Sequence, residues 1–121
     1  MIDPALIRTI GFRVSEDRGR LLENVVFLHL RMQMKDIYFH KEKKECDFLV
    51  REGNRIVQVI QVTTSLSDPE VKKREIEGLM EAMSTYNLQE GIILTENEND
   101  TIKIDELRIL VLPIWKWLLF Q

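Results

Sequence analysis

The sequence predicts a single α/β domain with a mixed central sheet flanked by helices, and three observations predict it. An apolar helical stretch at residues 19–34 precedes three short strand patterns separated by polar turns. The third of these, residues 55–64 ("RIVQVIQVTT"), is β-branched and nearly continuous, as a central strand covered on both faces would be. A capped helical pattern then separates it from a fourth strand, which calls for a right-handed strand–helix–strand crossover with parallel strands. A chain of 121 residues is long enough for one core and too short for two.

Each element has its own justification. Residues 1–16 ("MIDPALIRTIGFRVSE") read as a lead-in, in which Asp3-Pro4 opens a short helical turn and Gly11 ends it. The first helix, residues 19–34 ("GRLLENVVFLHLRMQM"), carries Leu21, Leu22, Val25, Val26, Phe27, Leu28, Leu30, Met32 and Met34. Only a narrow polar stripe remains, so the helix is expected to be largely covered. Glu23 shares a helical face with Phe27, Leu30 and Met34, where an unpaired carboxylate is costly. Residues 37–40 form a short strand, 41–44 a charged turn and 45–50 a second strand. Glu52-Gly53-Asn54 is a turn in which Gly53 is free to take positive φ.

After the third strand, Ser67 or Asp68 caps the second helix and Pro69 suits its first turn. That helix spans residues 69–87 and buries Ile76, Leu79, Met80, Met83 and Tyr86. Gly78 within it costs about 1 kcal/mol relative to Ala, and implies close approach to the sheet. Residues 91–95 are the fourth strand, and 101–104 with 108–112 a small strand pair. Pro113 leads into an amphipathic end, "IWKWLLF". Its Trp115 and Trp117 do not share a helical face, so one packs and the other is exposed. No internal repeat or low-complexity segment is present.

Composition narrows the function. The formal net charge is −3, from 17 basic and 20 acidic side chains, which gives no global pull toward nucleic acid. The basic runs "HKEKK" and "VKKR" are solvated faces or local phosphate contacts. A single cysteine, Cys46, excludes an intrachain disulfide framework and a Cys-rich zinc site. Two histidines, His29 and His40, are too few for a His-rich metal centre. With no secretory leader pattern and no apolar run of spanning length, a reducing, cytoplasmic setting without a membrane partner is expected.

The candidate chemistry sits on the second and third strands. If Val50 lies near Ile56 across the turn, Asp47 falls nearly opposite Val59, with Gln61 and Thr63 on the same side. Parity groups Asp47 with Glu45 and Leu49, and turns Cys46 to the opposite face as a core residue. Glu23 closes over the Asp47 side from the first helix. Acidic oxygens on rigid strands are what a hard divalent cation needs: Asp47 is a strong ligand, Gln61 a neutral carbonyl, and Thr63 carries no charge. The alternative is a solvated or hydrogen-bonded Asp47 and a Glu23 paired with a basic neighbour. His29 reads as a hydrogen-bonded boundary residue, and His40 borders the charged turn.

Taken in order, "DRGRLLENVVFLHLR", "ECDFLV", "RIVQVIQVTTSLSDPEVKKREIEGLMEAM" and "GIILT" closely resemble the C-terminal domain of unknown function of a prokaryotic AAA-type P-loop ATPase family. The similarity runs from about residue 2 to residue 119. That domain is in turn similar to the PD-(D/E)xK, or restriction-endonuclease-like, superfamily, and the resemblance implies that fold. By position, Glu23 matches the helix glutamate and Asp47 the strand aspartate. Gln61 stands where the family has Glu, and Thr63 where it has Lys. Lys72, at the start of the second helix, is either a lysine that has migrated toward the site or a solvated one.

The resemblance implies Mg²⁺ or Mn²⁺ held by Glu23, Asp47 and Gln61. The changes at Gln61 and Thr63 imply a nuclease-like accessory domain that is catalytically weak or inactive and serves nucleic-acid or protein interaction. An active Mg²⁺/Mn²⁺-dependent nuclease and a purely structural protein-interaction module are the alternatives. DNA or RNA, the ATPase domains of a parent protein and a second copy of the chain are the partners it suggests. The chain has no Gly-rich Lys-Ser/Thr loop, so no P-loop ATP site is expected. Residues 1–121 thus read as a single nuclease-like domain, excised from or left over from a longer ATPase.

Overall fold

The computed structural model describes residues 15–120, so the turn expected at Asp3-Pro4 and Gly11 lies outside the described residues. In chain order the elements are α1 (Ser15–Met32), β1 (Asp36–Lys41), β2 (Glu45–Glu52), β3 (Arg55–Val62), α2 (Pro69–Thr85), β4 (Glu90–Thr95), β5 (Asp100–Ile104), β6 (Leu107–Pro113) and α3 (Ile114–Phe120). The strands make one six-stranded sheet in the order β1-β2-β3-β4-β6-β5. Antiparallel hairpins join β1, β2 and β3. α2 then carries the chain to β4, which lies parallel to both β3 and β6, and β5 returns antiparallel along β6. The fold is therefore α/β with a mixed sheet, and the parallel crossover read from the sequence is present.

Each face of the sheet has its own core. On one, Leu79, Ala82 and Met83 of α2 pack against Cys46, Leu49, Val59, Ile93, Ile109 and Val111. On the other, Val26 and Leu30 of α1 and Trp117 of α3 pack against Phe48, Val50, Ile60, Val62, Ile92 and Leu94. Strands β3 and β4 feed both cores, which is why their sequences run apolar without alternation. Trp117 is buried and Trp115 is exposed, as their spacing requires.

α2 begins where its chemistry demands. Asp68 is the N-cap and accepts the Glu70 N–H at 2.9 Å, with Pro69 in the first turn. Gly78 sits where a Cβ would collide with the Glu45 carbonyl oxygen and lie 2.7 Å from Gln61 Nε2. The glycine is the close approach of helix to sheet.

Three expectations need correction. First, α1 is not largely covered. Val26 and Leu30 are buried, but Phe27, Leu28 and Met32 are exposed, as is Met34 just past the helix. The helix rests on a single sheet face, so only one stripe of it finds cover. Second, the β2–β3 register differs. A tight turn at Gly53-Asn54 pairs Arg51 with Ile56, and a bulge then shifts the ladder to Val50↔Gln58, Leu49↔Val59 and Phe48↔Ile60. Val59 therefore faces Leu49, and the next rung would set Asp47 against Gln61.

Third, parity fails in β2. Its pairing with β1 passes from Tyr38↔Leu49 to His40↔Cys46, so β2 holds one extra residue between them. Cys46 and Leu49, three apart, consequently enter the same core. Asp47 sits at that break and does not share a face with Leu49 by simple alternation. Cys46 is a core residue, as expected.

Candidate functional site

The break in β2, the end of β3, the first turns of α2 and the middle of α1 converge at one place. The β2–β3 ladder stops at Phe48↔Ile60, and side chains take over as rungs. The Val62 N–H donates to Asp47 Oδ2 at 2.8 Å, and the Asp47 N–H donates to Gln61 Oε1 at 2.9 Å. Gln61 Nε2 donates to the carbonyls of Glu45, at 2.8 Å, and Glu75, at 3.1 Å. Gln61 is only 1% exposed, so this amide joins β2, β3 and α2 in the interior. Its oxygen and nitrogen are both committed to the backbone.

Carboxylates crowd the same place. Burial pushes Asp47 up to about 6, and Glu23 and Glu45 push the same way, against the Val62 N–H and Arg74. Glu75 of α2 is pushed up to about 7, first by burial and then by Asp47, with Arg74 opposing. Burial also raises Glu23, against the pull of Arg20. Glu23, Asp47 and Glu75 are therefore an electrostatic unit assembled from α1, β2 and α2, and Arg74 is the cation coupled to both Asp47 and Glu75.

Of the residues singled out in the sequence, the structure brings Glu23, Asp47 and Gln61 together. Thr63 lies just beyond β3, where its Oγ1 donates to the Ser65 carbonyl at 3.3 Å. Lys72 lines a separate cleft of about 150 Å³ with Leu66, Ser67, Glu98 and Asp100. Glu75 was not singled out, although a signal existed. It precedes Gly78 and Leu79 by three and four residues, which places a glutamate on the buried face of α2.

The carboxylates of Glu23, Asp47 and Glu75 are electrostatically coupled, but among the described residues their oxygens do not all lie within 4.8 Å of one another as the ligating atoms of His40, Glu42 and Glu81 do. Mutually repelling carboxylates on rigid elements, already partly stripped of water, are the oxygen ligands that Mg²⁺ or Mn²⁺ takes. Glu23, Asp47 and Glu75 offer that donor chemistry and would have to draw together to hold an ion. Gln61 does something else: it fixes the Asp47 backbone and thereby aims the Asp47 side chain.

Two neighbours complete the surroundings. His40 is buried, with Nε2 2.8 Å from Glu81 Oε2 and Nδ1 3.5 Å from the Tyr86 hydroxyl. Glu81 also accepts the Lys44 N–H at 3.0 Å, so it ties the β1–β2 turn to α2. The atoms of His40, Glu42 and Glu81 that could ligate lie within 4.8 Å of one another; the tie accounts for His40 and Glu81. Phe39, His40, Lys41, Glu45, Cys46 and Asp47 line a cleft of about 260 Å³, which reaches Asp47. A larger cleft, of about 670 Å³, lies at the opposite end of β3, around Val57, Gln58, Glu90 and Arg108, away from the acids. His29 differs from expectation: its Nε2 has no partner among the described residues, and its ring stands edge-on to Trp117 at 5.0 Å. No helix among the described residues is long and apolar enough to cross a membrane.

Known proteins place the chain in a family. It is 33% identical over 114 residues to the uncharacterized protein MJ1544 of Methanocaldococcus jannaschii, in an alignment covering 85% of this chain and 25% of that protein. The chain thus spans about a quarter of the length of the relative it matches. Residues 18–117 match the family model described as domain of unknown function DUF4143, a span that takes in Glu23, Asp47, Gln61 and Glu75 alike. The chain belongs to the DUF4143 family.

Proposed function

We propose that this is a restriction-endonuclease-like accessory domain of a longer ATPase, whose phosphodiester chemistry is weak or lost and whose role is interaction with nucleic acid or protein. The order of elements supports the fold: a helix bearing Glu23, antiparallel hairpins bearing Asp47 and Gln61, and a crossover helix to a parallel strand. The observation that carries the functional reading is the engagement of Gln61 and Thr63. At the positions where a nuclease of this kind needs an acid and a lysine, one side chain is bonded into the backbone and the other caps a neighbouring carbonyl. With Thr63 standing where that lysine would be, the usual group for activating water and neutralising the charge that develops on phosphate is missing from its place on β3, although Lys41 lines the same cleft as Asp47.

Glu23, Asp47 and Glu75 would hold the cation, which when bound supplies Lewis-acid polarisation of a phosphoryl oxygen. The chain's own contribution is to fix those carboxylates, through Val62 N–H and Gln61 on Asp47, and to keep them partly dehydrated.

A second reading, an active Mg²⁺/Mn²⁺-dependent nuclease, is favoured by one feature. Glu75 restores the missing acid from α2, and Arg74 beside it restores a positive charge. The assay is cleavage of single- and double-stranded DNA and RNA by the purified chain in Mg²⁺ or Mn²⁺, with Asp47→Ala in parallel. No cleavage above the Asp47→Ala level is expected. Cleavage that depends on both Asp47 and Glu75 would establish the second reading in its place.

A further inference from the structure

Among the described residues β1 is an outer strand, paired only to β2. By alternation, half of its N–H and C=O groups point away from that partner. Outer strands are usually blunted by charge, proline or a covering element. β1 instead exposes aromatic side chains on both faces, with Phe39 72% and Tyr38 45% exposed. Met32 and Met34, just before the strand, extend the apolar surface.

The strand also has an internal symmetry. Asp36-Ile37-Tyr38-Phe39-His40 places an acid and a base at its ends, an apolar residue on either side of the centre, and tyrosine in the middle. A two-fold interface requires a surface complementary to itself. We propose that β1 is where two copies of this chain pair antiparallel, about a two-fold axis at Tyr38, into one continuous sheet.

The register follows from geometry. A two-fold axis perpendicular to the sheet keeps each face on its own side, so only residues of like parity oppose one another. With the axis at Tyr38, that residue meets Tyr38 of the second copy. Ile37 meets Phe39 of the second copy, and Asp36, which its own Arg51 approaches at 3.4 Å, comes opposite the buried His40, whose Nε2 is 2.8 Å from Glu81. Lys35 then opposes Lys41, but each brings its own carboxylate, Glu52 at 3.9 Å and Glu45 at 3.7 Å. Moving the axis to Phe39 would set Asp36 against Glu42 and Ile37 against Lys41, so charge and burial both favour Tyr38 over Phe39. Phe39 lines the cleft that reaches Asp47, which puts the second copy at the rim of that cleft. None of this depends on the chemistry of the acidic site.

Sedimentation across the micromolar range tests the pairing. The expected result is a dimer that becomes monomeric in Phe39→Glu and in Phe39→Lys, with unchanged circular dichroism because the side chain is already exposed. Register is read by cross-linking. Directly opposed residues lie about 4.5–5.5 Å apart at Cα, within disulfide reach. Tyr38→Cys should therefore link two copies under mild oxidation. Lys41→Cys should not, because six residue steps, about 20 Å, would separate it from its mate. Cys46, 1% exposed, stays silent. A wild-type monomer at every concentration, a dimer indifferent to both Phe39 variants, or linkage at Lys41 as ready as at Tyr38 would each overturn the proposal.

Discussion

At the scale of single residues, Gln61 is a structural amide in what the sequence presents as a catalytic position. Its three hydrogen bonds satisfy the Asp47 N–H and the Glu45 and Glu75 carbonyls at a point where the backbone ladder has ended. Gln61→Ala would leave the Asp47 N–H and the Glu45 carbonyl without this partner in the interior, while the Glu75 carbonyl, in mid-helix, keeps its helical hydrogen bond. At about 1–3 kcal/mol for each group that water cannot reach, a loss of about 2–4 kcal/mol is expected, read as a lower urea midpoint with the slope retained. Gln61→Glu should be almost as damaging at neutral pH, because it removes the donor and adds a charge beside Asp47 and Glu75. That variant should recover stability in acid, and Gln61→Ala should not.

The raised carboxyls give a pH dependence of definite sign. Asp47 rises from 3.8 to about 6, and Glu75 from 4.5 to about 7. Between the ordinary and the raised values the folded chain binds more protons than the unfolded one, so these groups make stability fall as pH rises through that window. Their contribution is fully present below about pH 4 and is lost by about pH 7. Urea midpoints measured across the window should decline. Glu75→Gln should flatten the decline and leave the protein more stable than wild type at pH 8. A midpoint that rises steadily to pH 8 would contradict the crowding of charge at this site.

At the scale of elements, most of the architecture was legible, because it was written in period and punctuation. The β-branched run of β3, the Asp68-Pro69 start of α2 and the amphipathic stripe after it each depend on neighbours within one or two turns. Register was not legible. It turned on two bulges, each one residue long, that no propensity marks, and a slip of one residue changes every cross-strand neighbour. That is why Asp47 was expected beside Val59 and is found beside Gln61. Glu75 was hidden for a related reason. Its helical face is readable, but its nearness to Asp47 depends on where α2 crosses the sheet.

Gly78 marks that crossing. An alanine there would drive its methyl into the Glu45 carbonyl, a backbone atom that cannot rotate away, and into Gln61 Nε2. Helix propensity alone would favour alanine by about 1 kcal/mol. Overpacking costs typically 1–3 kcal/mol and more against rigid backbone, so Gly78→Ala should be destabilising on balance by roughly 2 kcal/mol or more. Thermal unfolding would show it, and a neutral or stabilising result would mean that α2 stands farther from β2 than described. Asp68→Ala, which removes only the cap, should cost about 1 kcal/mol.

At the scale of the whole molecule, the acidic site lies where α1, the hairpin sheet and α2 meet, so anything that neutralises it ties three elements together. Protons do so in acid. At pH 8 the carboxyls are charged and repel one another, and a divalent cation would take the protons' place. A ligand that binds only the folded chain stabilises it by RT ln(1 + [L]/Kd), about 2.7 kcal/mol at one hundred times Kd. Mn²⁺ should therefore raise the melting temperature at pH 8 and have little effect at pH 5, where it competes with protons. The increase should vanish in Asp47→Ala and shrink in Glu75→Gln, and it should persist in Lys72→Ala, because Lys72 lines a different cleft. A rise of equal size in all variants would locate the cation elsewhere on this acidic chain. No rise at millimolar Mn²⁺ would mean that the site is kept by packing and protons alone, with Gln61 its structural replacement for a lost ligand.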